Sequence, residues 1–224
     1  MKILLQALAA SLFGIIIMGL LLFLPAGTFN YWQAWVFIVI FTVATTCPNV
    51  YLAVRRPEVL RRRLRAGPTA ETRPAQRIAS IGYFMFFAAV AVVSASDHRF
   101  GWSTVPTTVV VLGDVLVTMG LGIAMLAILQ NSFAASRVAV ESGQSVVSTG
   151  LYRFVRHPMY SGLLIMMIGA PIALDSYWGF VPLVPGLVVF AIRILDEEKL
   201  LLAELGGYAG YTEKVRARLV PYVW

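Results

Sequence analysis

Long apolar runs alternate with polar segments along the whole chain. Six such runs stand out, and they occupy residues 3–24, 31–54, 78–96, 105–129, 158–174 and 177–192. A helix that crosses a bilayer needs about 20 predominantly apolar residues, and the first four runs are long enough to span. The last two runs are shorter and only Asp175 and Ser176 separate them, so a tight helical hairpin is predicted there. The pattern as a whole predicts an all-α protein, a polytopic membrane helix bundle with about six transmembrane helices.

The composition also indicates a membrane protein, since 59% of the residues are hydrophobic and only 13% are charged. No soluble domain of 224 residues is expected to be so apolar. Cys47 is the only cysteine and the two histidines lie far apart, so neither a disulfide nor a metal site is expected. The run at 3–24 is longer than the apolar core of a signal peptide, about 7–15 residues, and is interpreted as a retained helix.

The lysines and arginines predict the orientation of the spans. With a cytoplasmic N-terminus and six spans, every basic residue except Arg99 falls in a cytoplasmic segment, as the positive-inside rule requires. The prediction is an integral membrane protein with both termini on the cytoplasmic side. The net charge of +7 is then explained by contact with the lipid bilayer, and no nucleic-acid partner is expected.

Three polar segments lie on this predicted cytoplasmic side. Residues 58–65 are predicted to form a short surface helix with Val59, Leu60 and Leu64 inward, and its arginines are interpreted as topology signals and lipid contacts. The segment 130–149 is too long for a simple connector and is expected to carry binding groups. In the tail, Tyr208, Tyr211, Val215 and Leu219 recur at near-helical spacing, which predicts a C-terminal amphipathic helix.

The densest cluster of polar chemistry lies just before the fifth apolar run, between Gly150 and Gly162. Pro158 suits the first position of a helix, whose N-terminus carries free N–H groups and a partial positive charge. Together with Arg156 and His157 this helix start is interpreted as an anion site at the boundary of water and lipid. The alternative interpretation is that the arginines only anchor the helix to lipid phosphates.

A second charged cluster follows the sixth run. Arg193 and Glu197 are four residues apart and share one helix face. They are interpreted either as an ordinary surface ion pair or as part of a pocket, because they occupy the same predicted depth as His157.

Three motifs occur in order: Gly-x-Tyr-x-x-x-Arg-His-Pro-x-Tyr-x-Gly from Gly150, Arg-x-x-x-Glu-Glu-x-x-Leu from Arg193 and Tyr-x-x-Tyr-x-x-x-Val-x-x-x-x-x-Pro from Tyr208. Together they resemble the isoprenylcysteine carboxyl methyltransferases, membrane enzymes that use S-adenosylmethionine. The resemblance covers roughly residues 105–221. The Arg-His-Pro-x-Tyr part alone is less specific, because a similar piece appears in phospholipid methyltransferases and in NADPH-dependent membrane sterol reductases.

The resemblance implies a site and a division of the chain. It implies cofactor contacts by Gln144, Ser145, Val146, Val147, Tyr152, Arg156, His157, Pro158, Met159, Tyr160, Glu197 and Glu198. It implies catalytic roles for Arg193, which would face the acceptor, and Glu197. Arg137 stands where the family places a polar residue near the cofactor, a departure from the pattern. The resemblance does not extend to residues 1–77, where the apolar runs predict two N-terminal transmembrane helices and a basic cytoplasmic loop, and a membrane methyltransferase core with a cytoplasmic tail is expected at 78–224.

The function that the resemblance implies is an S-adenosylmethionine-dependent methyltransferase with a cytoplasmic-face cofactor pocket. The expected reaction is carboxyl O-methylation of a lipophilic small-molecule or prenylated acceptor, such as an isoprenylcysteine. The alternatives are a phospholipid N-methyltransferase, an NADPH-dependent sterol-type reductase, and a lipid-binding or transport protein without chemistry.

Overall fold

The computed structural model describes residues 2–64, 71, 73–135, 139–141 and 143–224. Within these ranges the chain is helical and forms no strand. The α-helices are α1 (Lys2–Ala26), α2 (Trp32–Arg55), α3 (Pro57–Leu64), α4 (Pro74–Phe100), α5 (Thr107–Gln130), α6 (Pro158–Ala173), α7 (Leu183–Glu204) and α8 (Tyr208–Lys214). Three short 3-10 turns cover Ser132–Ala135, Gly150–Arg153 and Trp178–Phe180. The predicted all-α membrane fold is confirmed.

Five helices in the described ranges are long and apolar enough to cross a bilayer, namely α1, α2, α4, α5 and the segment Trp178–Glu204 that contains α7. α6 has 16 residues and is about 24 Å long, which is short of a hydrocarbon core of about 30 Å. Nevertheless, residues at its two ends contact opposite ends of the bundle. Before α6, the Leu151 amide donates to Gln130 at the end of α5 (2.8 Å), and after α6 the Ser176 hydroxyl donates to Asp97 near the end of α4 (2.6 Å). The sixth span stays a prediction.

The expected tight hairpin between the last two apolar runs is wrong. α6 packs along α5, whereas α7 packs against α4. The reason is the close approach of α5 and α6 at glycines, since a Cβ added to Gly120 would lie 2.5 Å from the Gly162 carbonyl oxygen. Small residues allow such close backbone packing between membrane helices.

Two short helices close the bundle at the end where α5 finishes and α6 begins. α3 buries Val59 and Leu60 as expected, but Leu64 is exposed. α8 buries Tyr208 and Tyr211, which confirms a C-terminal helix, but Val215 and Leu219, which were predicted to belong to it, lie beyond its last residue. That helix ends at Lys214, and the chain then continues through bends and a turn beside the start of α6, where the Arg156 and His157 amides donate to the tail carbonyls.

A polar network ties the helices together at the opposite end of the bundle. The buried carboxylate of Asp97 accepts hydrogen bonds from the Ser103 amide (2.7 Å) and from the Ser176 hydroxyl. Asp175 accepts from Gln33 at the start of α2 (2.9 Å) and from the Val105 amide (2.6 Å). These contacts bring the starts of α2 and α5 close to the ends of α4 and α6, which orients the helices that line the site.

Candidate functional site

A polar cleft lies where the end of α5, the start of α6, the C-terminal half of α7 and α8 meet. Its lining residues are Asn131, Phe133, Ala134, Ala139, Gln144, Ser145, Val146, Val147, Tyr152, Arg156, His157, Met159, Tyr160, Arg193, Glu197, Leu201, Leu205, Tyr208 and Tyr211. All the predicted site residues line this cleft except Pro158 and Glu198. Arg137 lies outside the described residues.

A hydrogen bond from α8 holds the segment that precedes α6. The Tyr211 hydroxyl donates to the Tyr152 carbonyl oxygen over 2.6 Å, and both side chains are buried. Burial raises the pKa of Tyr211 to about 12, against the opposing influence of the Arg156 charge. Tyr211 is therefore protonated at neutral pH and available as a donor, which fixes one wall of the cleft.

Glu198 is the buried anchor of the Arg156-His157 dipeptide. Its carboxylate accepts hydrogen bonds from Arg156 Nε (2.6 Å) and Arg218 Nε (2.8 Å), and it lies 3.2 Å from His157 Nε2. Arg156 Nη1 also donates to the Val215 carbonyl oxygen. The sequence predicted an anion site from Arg156, His157 and the start of α6, and in the structure both side chains contact the carboxylate of Glu198. Buried charges need such partners, and this partner comes from α7, far along the chain.

Arg193 and Glu197 are linked through Tyr160. The Tyr160 hydroxyl donates to Glu197 Oε2 (2.7 Å) and accepts from Arg193 Nε (2.9 Å). Arg193 Nη1 donates to the Ser80 hydroxyl (2.7 Å), and Nη2 lies 3.1 Å from Glu71 Oε1. Arg193 and Glu197 are therefore part of a partly buried network rather than the ordinary surface ion pair that was the alternative interpretation.

A second, mostly apolar cavity adjoins the polar cleft and has a volume of about 360 Å³. Its lining residues are Ala44, Thr45, Pro48, Arg63, Glu71, Ser80, Tyr83, Phe84, Leu121, Ala124, Met125, Ile128, Ala134, Met159, Tyr160, Leu163, Phe190 and Arg193. Ala134, Met159, Tyr160 and Arg193 line both spaces. A polar compartment and an apolar compartment thus meet at the Tyr160-Arg193 hydrogen bond.

The structure brings in residues that sequence reasoning did not assign to a site. Tyr208 was interpreted as a packing residue, yet its buried hydroxyl finds no hydrogen-bond partner among the described residues of the cleft wall. Burial, with a smaller contribution from the Glu198 charge, raises its pKa, so it stays protonated.

Asn131 belongs to the polar segment in which binding groups were expected. Arg63 and Glu71 come from the basic loop, where no sequence signal distinguishes them from neighbouring charged residues.

The polar cleft lies within the part of the chain that matches known proteins. Residues 108–207 match the family model of the phospholipid methyltransferases. Two curated relatives, from Oryza sativa subsp. indica and from Oryza sativa subsp. japonica, are each described as a probable protein-S-isoprenylcysteine O-methyltransferase. Each is 31% identical over 117 residues, which is 50% of this chain and 61% of the relative. The match therefore spans about three fifths of the length of these relatives.

A solved structure resembles the chain over almost its whole length. It is the eukaryotic intramembrane Ras methyltransferase ICMT (isoprenylcysteine carboxyl methyltransferase). The two sequences are 18% identical, the TM-score is 0.49, and the match covers 99% of this chain and 97% of that chain. The fold defines a polytopic helical membrane protein. The sequence matches confirm its resemblance to the isoprenylcysteine carboxyl methyltransferases, and residues 108–207 carry the pattern of the phospholipid methyltransferase family.

Proposed function

We propose that this protein is an integral membrane methyltransferase that uses S-adenosylmethionine and methylates the carboxylate of a lipophilic acceptor, such as an isoprenylcysteine. The observation that carries the proposal is the meeting of the polar cleft and the apolar cavity at Tyr160 and Arg193. A water-soluble methyl donor and a membrane-soluble acceptor need adjoining compartments of these two kinds. The names of the Oryza sativa relatives support methyl transfer over the reductase alternative.

The residues of the polar cleft fit the methyl donor. S-adenosylmethionine supplies, when bound, a methyl group on a sulfonium that a nucleophile can take. Glu197 provides a negative charge for its ammonium group, and the Tyr208 hydroxyl, which has no partner among the described residues, can provide a hydrogen bond. Val146, Leu201 and Leu205, which pack together against α8, provide an apolar wall for a planar ring. Gln144, Ser145 and His157 complete the polar lining, and we assign these residues to donor binding.

The acceptor side depends on alignment more than on acid–base chemistry. A carboxylate with an ordinary pKa is ionised at neutral pH and is already a nucleophile, so no strong base is needed. The planar guanidinium of Arg193 can hold a carboxylate and orient one oxygen, and Tyr160 fixes that guanidinium. Correct placement of two reactants contributes several powers of ten in rate. The chain of the acceptor would lie in the apolar cavity, among Leu163 and Phe190.

Phospholipid N-methylation is the second candidate, because the family model that matches residues 108–207 is that of the phospholipid methyltransferases. Its acceptor is an amine, so it requires the loss of a proton from the attacking nitrogen. The polar cleft and the apolar cavity would serve this reaction as well. The chemical identity of the product separates the two reactions.

Orientation and domain division complete the proposal. We place both termini and the polar cleft on the cytoplasmic side, on the strength of the basic residues. We divide the chain at residue 77, with a methyltransferase core at 78–224. Arg63 and Glu71 line the apolar cavity, which favours a role for the N-terminal part in acceptor binding.

The test is methyl transfer by the purified full-length protein in nanodiscs with methyl-labelled S-adenosylmethionine. Three acceptors are compared: N-acetyl-S-farnesylcysteine, its carboxamide, and phosphatidylethanolamine. We expect label in the carboxylate acceptor, released as methanol by mild base, and none in the carboxamide. Base-stable label in phosphatidylethanolamine alone would establish the second candidate. Absence of both transfer and S-adenosylmethionine binding would reject the proposal.

A further inference from the structure

Three successive arginines of α3 have different environments. Arg61 donates to Glu58 over 2.7 Å on the exposed surface. Arg62 lies 3.2 Å from a carboxylate oxygen of Glu141 and over the ring of Phe133. Arg63 instead lines the apolar cavity. α3 thus directs Arg61 and Arg62 to partners outside the cavity and Arg63 into the cavity.

The guanidinium of Arg63 makes no hydrogen bond and no ion pair with any residue in the described part of the chain. It is partly buried, and burial lowers its pKa while Tyr83 acts in the opposite direction. A guanidinium nevertheless remains charged at neutral pH. Because a desolvated charge without a partner is unfavourable, an anion that enters the cavity gains more from Arg63 than from an exposed arginine.

Arg193 is the other guanidinium at this cavity, and its nitrogens are already engaged. They donate to Tyr160, Ser80 and Glu71. Among the described residues, the charged ones that line the cavity are Arg63, Glu71 and Arg193, so this part of the lining carries one excess positive charge. One monoanionic group would neutralise this excess, and Arg63 offers it guanidinium donors that no described residue engages.

We infer that Arg63 binds the anionic group of the lipophilic acceptor and thereby selects anionic over neutral amphiphiles. The inference rests on the proposed function, because it takes the apolar cavity as the acceptor site. The apolar chain of the ligand then lies against Leu121, Met125 and Leu163. A carboxylate and a phosphate share the required chemistry, since a planar guanidinium pairs with either. Arg63 thus adds a specificity-determining residue from the N-terminal part of the chain, outside the three motifs.

The test measures equilibrium binding of matched charged and neutral ligands to the full-length protein in phosphatidylcholine nanodiscs. One pair is N-acetyl-S-farnesylcysteine and its carboxamide, and the other is farnesyl phosphate and farnesol. Wild type is compared with Arg63→Gln, Arg63→Lys and the matched control Arg61→Gln. Loss of one hydrogen bond to a charged group corresponds to about a ten- to hundredfold weaker binding. We expect that loss in Arg63→Gln for a charged ligand only, partial recovery in Arg63→Lys, and wild-type binding in Arg61→Gln.

The pattern of loss also identifies the anion. A loss for the farnesylcysteine carboxylate indicates a carboxylate site, and a loss for farnesyl phosphate indicates a phosphate site. Equal loss for the charged and neutral members of both pairs, or unchanged affinity for all four ligands, overturns the inference. If methyl transfer occurs but Arg63→Gln retains the wild-type KM and affinity, only the inference fails. If the charge-selective loss is seen without methyl transfer to any acceptor, only the proposed function fails.

Discussion

The hydroxyl of Tyr160 donates a 2.7 Å hydrogen bond to the carboxylate of Glu197. The same hydroxyl accepts a hydrogen bond from Arg193, so a single oxygen atom connects the two charged side chains of α7. Tyr160 comes from α6, and it also packs edge-on against Phe190. One tyrosine therefore sets the relative position of a carboxylate in the polar cleft and a guanidinium at the apolar cavity.

Tyr160→Phe removes this hydroxyl and keeps the aromatic ring. We expect turnover to fall by about ten- to a hundredfold, because Arg193 and Glu197 lose the contact that aligns them and misalignment near the reacting atoms is costly. Steady-state methyl transfer measures the effect. Tyr177→Phe, at an exposed position outside both spaces, should retain the wild-type rate. A wild-type rate in Tyr160→Phe would show that the bridge is not needed.

Arg193→Lys and Glu197→Gln should fail in different ways. Lysine keeps the charge but lacks the planar fork, so Arg193→Lys should bind S-adenosylmethionine normally and lose about a hundredfold in turnover. Glu197→Gln removes the negative charge proposed for the donor's ammonium, so donor binding should weaken by about ten- to a hundredfold. Calorimetry and turnover are measured on both variants. Normal turnover in the first together with tight donor binding in the second would contradict the assigned roles.

Glu198→Gln should destabilise the protein rather than act on the donor directly. The substitution leaves Arg156, His157 and Arg218 around a neutral amide, and breaking a buried ion pair typically costs about 3–5 kcal/mol. Thermal unfolding in detergent measures the loss. Glu204→Gln, at an exposed position of the same helix, should unfold like wild type. Equal unfolding temperatures of the two variants would mean that Glu198 is not the anchor.

Gly120→Ala tests the contact between α5 and α6. The new Cβ would lie 2.5 Å from the Gly162 carbonyl oxygen, so the helices must separate, and overpacking of this kind typically costs about 1–3 kcal/mol. Gly122→Ala is the matched control, because a Cβ there meets nothing within 4 Å. Thermal unfolding should therefore distinguish two substitutions that lie two residues apart on one helix. If both variants unfold alike, the close approach is not a source of stability.

The proposed orientation predicts different accessibility for Arg61 and Arg99. In a Cys47→Ser background, Arg61→Cys should react with an impermeant thiol reagent only from the cytoplasmic side, and Arg99→Cys only from the other side, as the positive-inside rule requires. Labelling of sealed vesicles of both orientations measures this. Reaction of both positions from one side would exclude the six-span arrangement.

Local patterns were sufficient to predict the helices and most of the candidate site. Val59 and Leu60 are adjacent apolar residues in a basic segment, and both are buried in α3. The cluster from Gly150 to Gly162 predicted the start of α6, because Pro158 fits the first turn of a helix and an uninterrupted apolar run follows it. The predicted residues in this cluster lie close in sequence, so nearly all of them reach the same cleft.

Contacts between distant segments could not be predicted in the same way. Arg63 approaches the cavity that Arg193 also lines, and Arg156 pairs with Glu198. No periodic pattern in the sequence indicates either contact. Each pairing depends on which helix faces contact each other. The pairing of α6 with α5 instead of α7 is a further example, because it depends on the fit of Gly120 against Gly162.

The sequence by itself determined that this protein is a helical membrane protein with its polar motifs at helix ends, because the hydrophobic effect and helix geometry act over a few turns of chain. Only the tertiary structure decided which charges are neutralised and which remain open. Tyr160 connects Arg193 to Glu197, Glu198 neutralises Arg156, and Arg63 has no partner among the described residues. These outcomes depend on the distances between side chains on different helices, and helix packing sets those distances.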